Sequence, residues 1–161
     1  AESFGKTGYE SVEEFNSDAD LKIRIERLRL ACGYAMGLGD VSSKNYPKMT
    51  LVAPPRDGGS ICTRSFIPHV CHDAIGVLAA VTVGTACVLD GSITDGLAIV
   101  SEGASKKISV EHPSGEFSVE LEIDPKNSQN VQRAALLRTA RLIMKGEVMV
   151  PATVWLGHQA T

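Results

Sequence analysis

No two cysteines of this 161-residue chain stand in a CxxC spacing, and Cys32, Cys62, Cys71 and Cys87 form no framework of closely set pairs. A disulfide-stapled secreted domain is therefore excluded, and a reduced, cytoplasmic protein is the economical expectation. Basic runs are also lacking and the formal net charge is −3, so a nucleic-acid partner has no electrostatic footing. No apolar run reaches the roughly 20 residues needed to cross a bilayer. Ala1 opens without Met, basic n-region or apolar h-region, so no signal peptide is read there. Its abrupt start inside ordinary domain sequence suggests a fragment or processed chain. Solenoid-length repeats and low-complexity segments are absent too. What remains is a soluble composition, 43% hydrophobic and 22% charged, that fits one domain over residues 1–161 with a sizeable core.

The stretch from Arg64 to Leu89 is the most informative. An arginine, a serine, two histidines and a cysteine crowd the start of a run, Ala74 to Leu89, that carries no charge. That run is expected to be a helix buried in the interior. Its N-terminal amides carry partial positive charge. With Arg64, His69 and His72 beside them, the place is suited to a carboxylate or a phosphate.

Around this stretch the pattern predicts an α+β domain. Phe4 to Phe15 reads as loop. Ser17 is the expected N-cap of an amphipathic helix with Leu21, Ile25, Leu28, Cys32 and Ala35 on its apolar face, stopped by Gly37 and Gly39. KMTLVA and SICTRSFI flank Gly58-Gly59 as a hairpin. Leu97 to Val100 is an expected short strand. KISVEH and EFSVELEID are joined at Pro113-Ser114-Gly115 as a second hairpin. The last segment, RAALLRTARLIMKGEVMV, has helix-favouring composition but runs into β-rich EVMVPATVW.

Several side chains are chemical candidates. His69, Cys71 and His72 form an HxCH cluster, but neighbours in sequence cannot easily both reach one zinc ion with good geometry. The chain's other histidines are His112, assigned to the hairpin, and His158 near the end. Cys71, at a helix N-terminus beside cationic groups, is expected to have its thiolate favoured and to act as acid/base toward a carbon acid. A small buried hydrophobe is the other reading. Arg64 offers a planar fork for a carboxylate, or else a surface ion pair. Ser65 follows it toward the helix mouth. Lys48 begins the neighbouring strand, as a ligand or as a solvated lysine. The run Met36 to Asp40 brings backbone amides near a ligand, or simply ends the helix.

The segments GKTGYES, MGLGDVSSKNYPKMTLVAPP, TRSFIPHVCHDAIGVLAAVTVGTA, VEHPSGEF and LLRTARLIMKGEV together resemble the second half of PrpF-type isomerases, relatives in fold of diaminopimelate epimerase. The resemblance runs over essentially the whole chain. Within the family the pattern is most similar to 4-oxalomesaconate tautomerases of aromatic degradation, then to 2-methylaconitate cis-trans isomerases and methylitaconate isomerases. It implies two pseudo-symmetric domains, each a curved sheet around a central apolar helix, with both helix N-termini aimed at a polycarboxylate in the cleft. It makes Ala74 to Leu89 the central helix. Arg64, Ser65, His69 and His72 then match the strand-to-helix passage that faces the cleft, LLRTARLIMKGEV becomes a terminal strand rather than a helix, and with Lys48 those four are the expected substrate-binding residues. It implies no metal and no organic cofactor. It also implies that the family's principal lysine and cysteine belong to a first domain lacking here, together with the strand before Ala1. Cys71 is then a candidate second acid/base by pseudo-symmetry.

Three functions follow. One is a cofactor-independent isomerase moving a proton by a 1,3-shift on an unsaturated tricarboxylate or keto-polycarboxylate. Another is a carboxylate-binding half without turnover, and the third a zinc hydrolase. The expected partners are the small substrate and the missing domain, with a homo-oligomer left open. If Arg64 grips substrate, Arg64→Lys should lower kcat/KM and leave the melting temperature almost unmoved.

Overall fold

The structure, a computed structural model, describes residues 1–137 and 140–155. After a 3-10 turn at Glu2–Phe4, Ser11 starts the first helix, α1 (Val12–Ser17). The Ser11 hydroxyl accepts from Glu14 N at 3.1 Å, and the Glu14 carboxylate accepts from Ser11 N at 2.7 Å. This reciprocal cap satisfies two otherwise orphaned donors, so the loop expected over Phe4 to Phe15 is corrected. Helix α2 (Ala19–Ala35) is capped by Asp18, whose carboxylate accepts from Leu21 N at 2.9 Å. The expected cap, Ser17, is instead the last residue of α1.

The buried stripe of α2 is Leu21, Ile25, Arg29 and Gly33. Leu28, expected in the core, is 43% exposed, while Arg29 is fully buried. An i, i+4 row was chosen over the more apolar residues because Arg29 finds a complete set of acceptors there. Gly37 and Gly39 adopt φ 73° and 71°, which an L side chain resists, and they stop the helix as expected.

Among the described residues, five strands form one mixed sheet in the order β1 (Met49–Ala53), β2 (Ile61–Phe66), β3 (Ser105–His112), β4 (Gly115–Asp124), β5 (Asn127–Leu136). Both expected hairpins are present, and the second pairs His112 with Gly115 across Pro113-Ser114. Only β2 and β3 run parallel, meeting at Ile61↔Val110 and Cys62↔Glu111. The buried Glu111 carboxylate takes the main-chain N–H of Arg56, Asp57 and Gly59 at 2.8, 2.8 and 2.7 Å, which fixes the β1–β2 turn.

Two strand expectations are corrected. Leu97 to Val100 forms no strand; Ile99 N merely donates to Ser60 O at 2.9 Å. The last strand among the described residues is β5, which ends at Leu136, and the described part of LLRTARLIMKGEV beyond it has no regular structure. Arg138 and Thr139 of that segment, and His158, lie outside the described residues. The tight turn after Asp124 brings the next residues straight back along β4, so the nearest chain takes the edge.

Helix α3 (Val77–Val88) packs Ala80, Val83 and Gly84 on β3, β4 and β5. A Cβ on Gly84 would lie 3.4 Å from Val119, so glycine sets this close approach. The apolar run is not wholly interior as expected, since Leu78 is 78% exposed at the start of the helix. One core, with Val52, Ile61, Ile108, Val110 and Val119, lies between the sheet and α3. The other, with Phe15, Leu21, Ile25, Leu51, Phe66 and Cys71, lies under α1 and α2. Phe15 and Phe66 meet there edge to face at 5.9 Å.

Candidate functional site

Successive side chains of a strand point to opposite faces, and this divides the expected site. On β2, Ile61 belongs to the α3 core and Phe66 to the α1–α2 core. Ser65 shares the parity of Ile61 and so lies on the α3 side, its hydroxyl 3.1 Å from Thr50 Oγ1. Arg64 shares the parity of Phe66 and lies on the other side. It is 9% exposed, and its guanidinium donates to Glu10 O at 3.1 Å, Thr63 O at 2.9 Å and Cys62 Sγ at 3.4 Å. The expectation that Arg64 opens onto the helix mouth is thus corrected: its fork holds the N-terminal segment to the sheet.

After β2 the chain turns tightly, with Ile67 N donating to Val70 O at 3.0 Å, and returns so that Cys71 bridges Phe66. His69, at the tip of this turn, is directed to α2, where its Nδ1 lies 3.5 Å from Glu26 Oε2. Cys71 is 2% exposed within the α1–α2 core. The Asn16 side chain pairs with its main chain, accepting from Cys71 N at 2.7 Å and donating to Cys71 O at 3.1 Å. Burial pushes the Cys71 thiol up to about 11, despite the nearby Arg64. The expected thiolate is therefore corrected to a protonated core thiol: α3 begins six residues further on, and the helix amides that were to stabilise the anion are elsewhere. Cys71, His69 and His72 do not converge, and among the described residues no group of three or more His, Cys, Asp or Glu is disposed to hold a metal ion.

What does assemble at the N-terminus of α3 is different. His72 N donates to Ser65 O at 3.0 Å, which ties the returning chain to β2 and leaves the His72 side chain exposed. Asp73 O accepts from Ser114 N at 2.9 Å and from Ser114 Oγ at 2.7 Å, with His112 Nδ1 at 3.3 Å. The turn between β3 and β4 thus clamps the approach to the helix. Gly76 is the N-cap of α3, in extended conformation, and among the described residues no side chain caps the helix. The first turn carries no acidic residue. Lys48 reaches over this end, its Nζ 3.9 Å from where a Gly76 Cβ would stand. Free helix amides with an ammonium beside them attract an anion for two independent reasons.

Of the predicted residues, Lys48 lies at the mouth, Ser65 and His72 border it through the main chain, and Arg64, His69 and Cys71 serve other contacts. His112 and Ser114 were assigned to the hairpin alone, yet they hold Asp73. The EHPSG motif carried that signal, because its turn residues have hydroxyl and imidazole groups to spare. Met36 to Asp40 is a helix stop.

Residues 1–151 match the PrpF family, described as PrpF protein. The chain is 55% identical over 150 residues to the (4E)-oxalomesaconate Delta-isomerase of Novosphingobium sp. (strain KA1), covering 93% of this chain and 42% of that protein. It is 48% identical over 159 residues to the 4-oxalomesaconate tautomerase of Pseudomonas putida, covering 99% and 43%. A 2-methyl-aconitate isomerase of Shewanella oneidensis is 30% identical, over 94% of this chain and 42% of that protein. The chain therefore spans less than half the length of these curated relatives. Its fold is that of a solved structure titled Crystal Structure of Methylitaconate-delta-isomerase, with TM-score 0.78 at 23% identity, covering all of this chain and 46% of the other. With a match running from Ala1 through nearly the whole described chain, and with the fold agreeing, the chain belongs to the PrpF family.

Proposed function

We propose that this chain is the second, carboxylate-binding domain of a cofactor-independent isomerase that performs a 1,3-proton shift. Its substrate is a small unsaturated tricarboxylate or keto-polycarboxylate, with 4-oxalomesaconate first and 2-methylaconitate as the alternative. The observation that carries this is Lys48 over the uncapped Gly76 end of α3. The oxalomesaconate names of the relatives at 55% and 48% identity support the substrate class. A carboxylate bound there would sit against helix amides and an ammonium. Charge developing on it as the adjacent carbon loses a proton would be stabilised by fixed dipoles, the term that usually dominates such catalysis. The acid/base groups would come from the remaining part of the enzyme, across the inter-domain cleft that the resemblance implies. The four unpaired cysteines support a reducing, cytoplasmic setting.

A second reading, binding without turnover in the isolated chain, is favoured by the protonated core state of Cys71. Both are tested by adding 4-oxalomesaconate to the purified chain and following the ultraviolet absorbance of the keto–enol pair, alongside calorimetry. Binding with no absorbance change identifies a half-enzyme. Turnover of 2-methylaconitate alone would move the substrate assignment, and absence of binding to any tricarboxylate would refute the carboxylate site.

A further inference from the structure

Lys48 can act at the mouth of α3 only if its backbone is held. On its C-terminal side β1 begins at once, with Met49 paired to Phe66. On its N-terminal side the chain from Gly37 to Pro47 forms neither helix nor strand. What secures that run is Arg29 on α2, fully buried. Its Nη1 donates to Lys44 O at 3.2 Å and Tyr46 O at 2.6 Å, and its Nη2 to Val41 O at 3.0 Å. Nε and Nη2 also clasp the Glu26 carboxylate at 2.7 and 2.8 Å. A guanidinium has five N–H donors, and these five bonds use all of them. None is left for a ligand. One turn further along α2, Gly33 seats the same run, since a Cβ there would come within 2.5 Å of Val41 Cγ2.

All three carbonyls that Arg29 holds belong to the run that leads into Lys48, the last of them, Tyr46 O, two residues before it. An arginine that merely filled the core would have no reason to gather its acceptors there. We propose that Arg29, oriented by Glu26, is a positioning residue for the carboxylate site. It fixes where Lys48 starts and so keeps Nζ over Gly76 before any ligand arrives, which lowers the ordering cost of binding. This rests on the reading of Lys48 as a carboxylate ligand.

The test is a double-mutant cycle on the 161-residue chain. Tricarballylate, a saturated tricarboxylate, is titrated in while the amide resonance of Val77 is followed by NMR, with thermal melts in parallel. Lys48→Met should weaken binding about tenfold or more, as expected for a hydrogen-bonded charge. Arg29→Lys, which keeps the charge but not the fork, should weaken it roughly three- to tenfold with Lys48 present and not at all in the Lys48→Met background. Glu26→Gln, on the partly exposed partner, should act in the same direction and decides the matter if Arg29→Lys does not fold. A lower melting temperature with affinity unchanged, or an affinity loss that persists in the Lys48→Met background, would overturn the positioning role while leaving the carboxylate site intact. No titration of Val77 in the parent chain, or no effect of Lys48→Met, would overturn the carboxylate site and the positioning role with it.

Discussion

Arg64→Lys separates two readings of this protein. An arginine at a cleft mouth would lose affinity on substitution and keep its stability. The structure predicts the reverse. Arg64 Nε and Nη1 donate to Glu10 O and Thr63 O at 3.1 and 2.9 Å from a side chain on the α1–α2 face of β2. Hydrogen bonds that involve a charged group contribute about 1.5–3 kcal/mol each. A lysine ammonium keeps the charge and can retain one of the two carbonyls, so the net cost is about 2 kcal/mol. For a domain of this size each kcal/mol moves the melting temperature by about 2–4 °C, so Tm should fall by roughly 4–8 °C. Circular dichroism melts measure this, and calorimetry with tricarballylate on the same preparation should return an unchanged affinity. An unmoved Tm with a tenfold weaker Kd would place the fork at the ligand and refute the parity argument for β2.

Three further outcomes are expected. Cys71, with its thiol near 11 and 2% exposed, should resist iodoacetamide at pH 8 in the folded chain and react on unfolding, whereas half-buried Cys32 should be labelled first; peptide mass mapping reads both, and early labelling of Cys71 would contradict its core position. The Arg29 side chain holds the Glu26 carboxyl below its ordinary 4.5, so the stability Glu26 contributes is complete above that pH and is lost as pH falls through the lower folded value. Glu26→Gln should flatten that acid limb in pH-dependent melts, and an unaltered limb would show the pair to be uncoupled from folding. Ser11→Ala removes one side of the reciprocal cap on α1 and should cost about 1 kcal/mol, measured as a shift in the urea midpoint without change of slope.

Much of the fold was legible because local signals and pairing agreed. The hairpin at Pro113-Ser114 and the one around Gly58-Gly59 each set two alternating runs beside a turn, and nothing distant competed. The end of the sheet was not legible. Asn127–Leu136 is polar at its start and carried no strand signal, whereas LLRTARLIMKGEV was expected as the terminal strand; the turn after Asp124 decided which residues met β4. The site was legible in composition and not in direction. Arg64 and Ser65 are neighbours in one strand, so they could never have faced the same cleft, and period-two alternation alone would have separated them. His69 and Cys71 were diverted by the turn at Pro68, whose return no periodicity announces. Arg29 was missing from the apolar face expected for α2, because a buried arginine is intelligible only once the three carbonyls of the following loop are in place around it.

Gly76 is where stability and function pull apart. Its backbone, φ −74° and ψ 155°, is the ordinary N-cap conformation, in which an Asp side chain would accept from the helix amides. There is room as well, since a Cβ would meet only Lys48 Nζ, at 3.9 Å. On stability grounds alone, Gly76→Asp should be favourable: the cap is better by a few tenths of a kcal/mol, and a carboxylate at the helix N-terminus beside an ammonium adds about 0.3–1 kcal/mol. The gain should appear as a rise of about 1–4 °C in Tm. The same carboxylate, however, would occupy the amides and the lysine that the substrate is proposed to use, so tricarballylate affinity should fall at least tenfold while the fold is strengthened. Gly76→Ala separates the two effects, because it adds the Cβ without the charge and should leave affinity within about threefold. If Gly76→Asp raised the melting temperature and bound tricarballylate as well as the parent chain, the ligand would have to sit elsewhere, and an uncapped glycine at the head of α3 would have no functional reason.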